Sequence, residues 1–417
     1  MNGDPQRPPA NPPSATPPSA APPAAGSPAE GGQAVAGPRA EGGQPGSGTR
    51  LLAGFADRIL PRQPLIRHLI LAVAAGIVLY FITTRLSSYN DFEVSQIAVY
   101  AIAVAGLGLL TGGNGQISLG HGALMALGAY TTALLITHTH IPVWATILAG
   151  AAAAAVLGII VGVAAARLRG PYLAGVTLAL ALALPEVAVK YTGIFGGEQG
   201  ITVNPLTAPG MISSELWLAW VCLIAALAVM ILLANLNRSR LGRAFRAVRD
   251  DEIAASLAGI NVARTQILAF VVSSACAGLA GALYGFGTGI VNPGEFTIGL
   301  SISLLAGMVI GGAGSLVGAW WGALVLVLVP QWSTSLSNSL NLSSGVSSNL
   351  ALIIYGAVLI VVMILAPSGI QGGVRRLLGL RRLPAARLPV LGRWQAARAG
   401  HRAQTEASHV ESTDHIP

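Results

Sequence analysis

The chain has 417 residues, of which 53% are hydrophobic and only 10% charged, and its mean hydropathy is +0.66. Soluble proteins carry about 25% charged residues, so this composition excludes an ordinary multidomain soluble protein. The net charge of +8 lies in short arginine stretches beside apolar runs, with Lys190 the sole lysine; that distribution marks membrane loops and argues against a nucleic-acid partner.

Residues 1–50 are dominated by Pro, Ala, Gly and Ser. Such a segment buries too little apolar surface to offset its ordering entropy and reads as a disordered cytoplasmic tail. It lacks the order of basic start, apolar core and small-residue cleavage site of a signal peptide. Apolar runs follow at 66–84, 93–111, 118–136, 141–166, 171–190, 216–235, 264–290, 299–312, 315–330 and 349–366. A helix needs about 20 residues to cross the hydrocarbon core. The runs 299–312 and 315–330 fall short and suit a tilted or re-entrant pair, so the expectation is an all-α, polytopic transmembrane helical bundle of about ten spans.

Arginines orient it. Arg58, Arg62 and Arg67 lie at the first run, Arg167 and Arg169 after the fourth, Arg238 to Arg249 after the sixth, and Arg375, Arg376, Arg381 and Arg382 after the last. With both termini inside, every cluster faces the cytoplasm, as the positive-inside bias requires. The loops 191–215 and 331–348 and the pair His138 and His140 then face outward. These histidines have no other ligand types nearby, and a solvated loop explains them better than a metal. Cys222 and Cys276 lie inside apolar runs without metal-ligand spacing and read as small core residues.

Thr111 to Tyr130 is rich in glycine and carries Gly113, Asn114, Gln116, Ser118 and His121. Gly costs roughly 1 kcal/mol relative to Ala in a helix interior, so the stretch is a poor lipid-facing helix. Irregular backbone at membrane depth needs protein or a water-filled cavity around it. Two readings remain open: close helix packing through small residues, or a broken helix whose amides line a polar path. Further on, Glu186 follows Pro185 in the fifth run, either facing such a path or pairing with Lys190 four residues on.

Between the sixth and seventh runs, Asp250 or Asp251 can cap a short helix. Ile253, Leu257 and Ile260 fall on its one face, and Gly259 offers a stop. Such a helix docks against a partner or lies on the lipid surface with its arginines on phosphates. Gly311 to Gly318 loosely echoes Gly112 to Gly120. No phosphate loop, dinucleotide fingerprint, nucleophile elbow or metal set appears, so no enzymatic activity and no cofactor in this chain are expected.

The stretch Gly113-x-Gly115-Gln116-x-Ser118-Leu119-Gly120-His121-Gly122-Ala123 resembles the signature of branched-chain amino acid ABC-transporter permeases. So do Gly242 to Gly259, which look like the family's ATPase-contact loop, and the segments Met308 to Gly318 and Gly356 to Ile370. Tyr172 to Gly200 is similar to the M-type subunit rather than its H-type partner. The match covers residues 66–373 and leaves 374–417 as an arginine-rich cytoplasmic tail.

The resemblance implies a permease domain in the bacterial inner membrane, working with an H-type permease subunit, two cytosolic ATPases that bind the ATP, and an extracytoplasmic solute-binding protein. It implies an ATPase-coupling segment of Gly242, Arg243, Arg246, Arg249, Asp250, Asp251, Glu252, Ala255 and Gly259. A translocation path is expected near Gly113, Asn114, Gln116, Ser118, His121, Thr177, Glu186, Gly196 and Gly197. Leu182 stands where relatives often carry a carboxylate, Phe195 where Thr is usual, and Gln266 where many have Lys. A urea or short-amide importer is therefore the alternative reading, and an ion-coupled carrier a more distant one. A non-transporting scaffold fits the Gly-Gln-Ser segment poorly.

Overall fold

A computed structural model describes residues 88–167, 171–204, 206–210, 213–339 and 369–377, with scattered positions between 353 and 364. The predicted spans 66–84 and 349–366 lie wholly or largely outside the described residues, as do both tails.

Helix dominates. Among the described residues, the α-helices longer than four residues begin with α1 (Ser88–Gly108), α2 (His121–His138), α3 (Val143–Ala165), α4 (Pro171–Lys190) and α5 (Ser214–Arg238). They continue with α6 (Arg240–Asp250), α7 (Glu252–Leu257), α8 (Val262–Thr288), α9 (Ile298–Gly311), α10 (Leu316–Ser339) and α11 (Gly369–Leu377). Two two-residue strands, β1 (Ile201–Thr202) and β2 (Ile290–Val291), pair antiparallel with Ile201 opposite Val291.

Among the described residues, five stretches are long and apolar enough to cross a bilayer: Asp91–Gly113, Val143–Ala165, Tyr172–Lys190, Ser214–Arg238 and Val262–Thr288. The shorter apolar helices Ile298–Gly311 and Leu316–Trp332 add to them. The chain is a multi-pass membrane protein.

Helix α8 is the hub, packed against α3, α2 and α1. Lipid tails are as apolar as leucine, so helices in a membrane associate through close backbone approach rather than through hydrophobic burial. Gly150, Ala154, Gly158 and Gly162 are buried at every fourth position of α3, which places them on one face. A Cβ on Gly150 would lie 2.7 Å from the Gly128 carbonyl of α2, and one on Gly128 would overlap the backbone of Gly278 in α8. Between α8 and α1, Ser273 Oγ donates to the Gly106 carbonyl at 2.8 Å. A Cβ on Gly106 would stand 2.7 Å from Cys276 Cβ. Both cysteines are free and buried.

Helices α9 and α10, which hold the two short runs, pack on each other in backbone contact through Gly307, Gly311, Gly318 and Gly322. The turn between them meets the first glycine-rich stretch directly, since a Cβ on Gly112 would lie 2.6 Å from Gly314 Cα. The two stretches that echo each other in sequence are thus neighbours in space.

Three boundaries differ from expectation. Helix α2 begins at His121 rather than 118, because residues 115–120 are not helical. Helix α10 runs to Ser339, through Pro330 and into the expected outer loop. Proline removes a single ladder bond, and Ser and Asn are only mildly unfavourable in helix, so an apolar start carries the helix onward. The segment after α5, read as one short helix in a loop, holds two helices, α6 and α7.

Candidate functional site

The α1 chain ends in a single π-turn, Leu109–Gly113, and then breaks. π-Turns are rare and frequently mark functional positions. Here the chain folds back on itself: Gly115 N–H donates to Thr111 O at 3.1 Å and Gln116 N–H to Leu110 O at 3.2 Å. Thr111 Oγ1 donates to Gln116 O at 3.0 Å. Gly115 has φ +80°, a conformation glycine reaches without strain.

Residues 115–120 then lead to the N-terminus of α2, and three amides around it find side-chain acceptors. Leu119 N–H donates to Thr177 Oγ1 of α4 at 3.0 Å, and Gly122 N–H to Ser301 Oγ of α9 at 2.9 Å. Gly120 N–H reaches Ser118 Oγ at 3.4 Å. A Cβ on Gly120 would lie 2.7 Å from Thr177 O, so α4 and the break are in backbone contact.

The structure therefore brings together Asn114, Gln116, Ser118, His121 and Thr177, all buried, with Gly113 at the end of the π-turn. Among the described residues, both amide atoms of Asn114, the Gln116 Oε1 and both ring nitrogens of His121 have no hydrogen-bond partner. Burying such groups unpaired costs about 1–3 kcal/mol each.

On the segment after α5, Ser239 caps α6 by accepting from Gly242 N–H at 3.4 Å. Phe245 and Val248 of α6 are buried, and Gly242 sits against the carbonyls of Leu236 and Asn237. Three arginines of α6, all exposed, donate to backbone carbonyls. Arg243 Nη1 donates to Arg238 O at 3.3 Å and Arg246 Nη1 to Asn237 O at 2.9 Å, capping the last carbonyls of α5. Arg249 Nη1 donates to Gly112 O at 2.8 Å, and its Nε and Nη2 grip Asp250 Oδ1 at 3.0 and 2.8 Å.

Asp251 caps α7, its Oδ1 accepting from Ile253 N–H at 2.8 Å and Ala254 N–H at 3.0 Å. Glu252 Oε1 accepts from Gln266 Nε2 of α8 at 3.0 Å, so at Gln266 the carboxylate meets a neutral amide donor rather than a cation. Ala255 is buried, and Gly259 ends the helix with φ +83°. The other face of α7 is bare: Ile253 is 71% and Leu257 85% exposed.

Other expected path residues stand apart. Glu186 and Lys190 are both exposed on α4, and among the described residues they form no ion pair with each other, so the i, i+4 pairing does not occur. Gly196 and Gly197, with φ +74° and +62°, lie beyond the far end of α4 from Thr177. On the order of 20 Å of helix separates them from the break, at 1.5 Å per residue. They shape a cap where Gly200 abuts Val291 and Asn292 and Phe195 meets Tyr130 edge-on at 5.2 Å. Sequence reasoning missed Ser301, which is buried and 179 positions from its partner, and it missed the inward reach of Arg249. Nothing local in the sequence signals either contact.

Residues 90–363 match the family of the permease component of the branched-chain amino acid transport system. The chain is 31% identical over 363 residues to the high-affinity branched-chain amino acid transport system permease protein LivM of Salmonella typhimurium, covering 80% of this chain and 81% of that one. It is 31% identical over 310 residues to LivM of Escherichia coli, covering 68% and 70%. The permease protein LivH of E. coli is 27% identical over 300 residues, covering 66% and 92%. No solved structure matches the chain. With the family pattern running from α1 to beyond α10, and LivM-like sequence over two thirds or more of its length, this chain belongs to the branched-chain amino acid transport permeases.

Proposed function

We propose that this chain is the M-type permease subunit of an inner-membrane ABC importer for branched-chain amino acids. The observation that carries the reading is the 31% identity to LivM over most of both chains. The bare apolar face of α7 supports it. A six-residue helix held between α6 and the long apolar α8, with Ile253 and Leu257 exposed, needs a partner surface. A cytosolic ATPase supplies one, and ATP energy then reaches this chain mechanically. An H-type permease subunit completes the path, and an extracytoplasmic binding protein delivers the solute. The arginine distribution favours about ten spans with both termini in the cytoplasm, which puts α6 and α7 on the ATPase side.

The test is uptake of labelled leucine, isoleucine, valine, urea and ribose by cells with and without this chain. Loss of the three amino acids alone is the expected result. Loss of urea uptake alone would move the chain to the amide importers, and no change in any solute would overturn the proposal.

A further inference from the structure

We infer that Arg249 is a strut that carries motion from the docking segment to the break between α1 and α2, instead of a contact to the ATPase itself. This rests on the docking role proposed above for α7.

The end of any helix leaves its last carbonyls without intrahelical partners. The back-folded bonds from Gly115 N–H to Thr111 O and from Gln116 N–H to Leu110 O bypass the carbonyl of Gly112. Arg249 fills that vacancy from 137 residues away, with a charged donor at the negative end of the helix dipole. Asp250 holds two further guanidinium nitrogens and fixes the direction of the reach. The fit is tight on the far side too, since a Cβ on Gly115 would lie 2.9 Å from Arg249 Cγ.

What Arg249 holds is positioned to matter. Gly112 is wedged on Gly314 of the α9–α10 turn, and Gly369 of α11 presses on Gly312 of the same turn. The next residues after Gly112 include Asn114, whose whole amide is buried and unpaired, and Gln116, whose Oε1 is. A shift of α6 therefore moves the π-turn, re-aims those amides and loads the α9–α10 turn in one step. The second polar link of the docking segment, the Glu252–Gln266 hydrogen bond, joins α7 to α8. Arg243 and Arg246 stay local, on the end of α5. Among these contacts, Arg249 alone joins the docking segment to the broken helix.

The experiment compares wild type, Arg249→Gln, Arg249→Lys and the milder Asp250→Asn in the full complex that co-purifies with this chain. Labelled leucine uptake is read against ATP hydrolysed, together with hydrogen exchange of residues 110–117. For Arg249→Gln the ATPases are expected to stay bound while leucine carried per ATP falls about tenfold, the scale of one charge-assisted hydrogen bond. Exchange at Gly115 and Gln116 should rise. Arg249→Lys should recover part of both, and Asp250→Asn should give a smaller change of the same sign. Release of the ATPases by Arg249→Gln would overturn the strut in favour of a direct docking contact. Unchanged exchange and unchanged coupling in both Arg249→Gln and Asp250→Asn would overturn it outright. A wild-type chain that binds no ATPase would instead sink the docking role itself, and the exchange of residues 110–117 would still decide whether Arg249 holds the π-turn.

Discussion

Two glycines in apolar helices, alike in sequence, face opposite surroundings. Gly281 of α8 lies on the α2 backbone, where an added Cβ would overlap the Met125 carbonyl, while Gly175 of α4 has nothing within 4 Å. Backbone atoms cannot retract as a flexible side chain can, so overfilling such a contact costs about 1–3 kcal/mol. Gly281→Ala should therefore lower the melting temperature of the detergent-solubilised protein by several degrees, and Gly175→Ala should hold or slightly raise it through the better helix propensity of Ala; equal behaviour of the two would refute the packing account. Thr177 makes a separate point at the same scale. Its hydroxyl is the only acceptor found for Leu119 N–H among the described residues, and it also donates to the α4 carbonyls of Leu173 and Ala174. Thr177→Val keeps the shape and removes the acceptor, leaving a buried amide unpaired at about 1–3 kcal/mol. Leucine uptake should fall several-fold in Thr177→Val and recover in Thr177→Ser; equal uptake in both would show that the hydroxyl is idle.

At the scale of elements, α7 makes the sharpest prediction. It is too short to be stable on propensity alone, and its persistence rests on the Asp251 cap, the Gly259 stop and the buried Ala255. Replacing the exposed pair, Ile253→Asp with Leu257→Asp, removes the apolar surface without touching the fold behind it. The double variant should reach the membrane at normal abundance and lose ATPase co-purification and uptake together. Asp251→Ala removes a cap worth about 1 kcal/mol and should weaken both only partly. ATPase retention in the double variant would place docking elsewhere. This element was legible in the sequence in its stop and in two candidate caps, of which Asp251 is the one used, because caps and positive-φ glycines are local signals; Ile260, expected on its face, lies beyond the stop. The long apolar helices were legible from local signals too, within a few residues. Helix α6 was not read, although Leu241, Phe245 and Val248 recur at helical spacing, because the surrounding arginines suggested a loop. The π-turn and the Thr177, Ser301 and Arg249 contacts were out of reach. They depend on which helices meet, and residues 58, 179 and 137 positions from their partners leave no mark in any window of sequence.

For the molecule as a whole, the orientation in the bilayer decides whether these parts work together. Arginine lies at Arg167, Arg238 to Arg249 and Arg375 to Arg382, and moving any of these clusters to the outer face would oppose the positive-inside bias. With α6 and α7 in the cytoplasm, α5 and α8 carry the chain out and back, and the His138–His140 turn between α2 and α3 faces outward. The two native cysteines are buried on α5 and α8, which leaves a low background for thiol labelling. His140→Cys should react with a membrane-impermeant maleimide added to intact spheroplasts, and Ser256→Cys should react only after the membrane is opened. Reversed labelling would place α7 outside, beyond the reach of any ATP-hydrolysing subunit, and the docking role would fail. Labelling as expected, with uptake lost on occupying Ser256→Cys and retained on occupying His140→Cys, would tie the cytoplasmic face of α7 to transport, since a bulky adduct there blocks the surface that the ATPase must push.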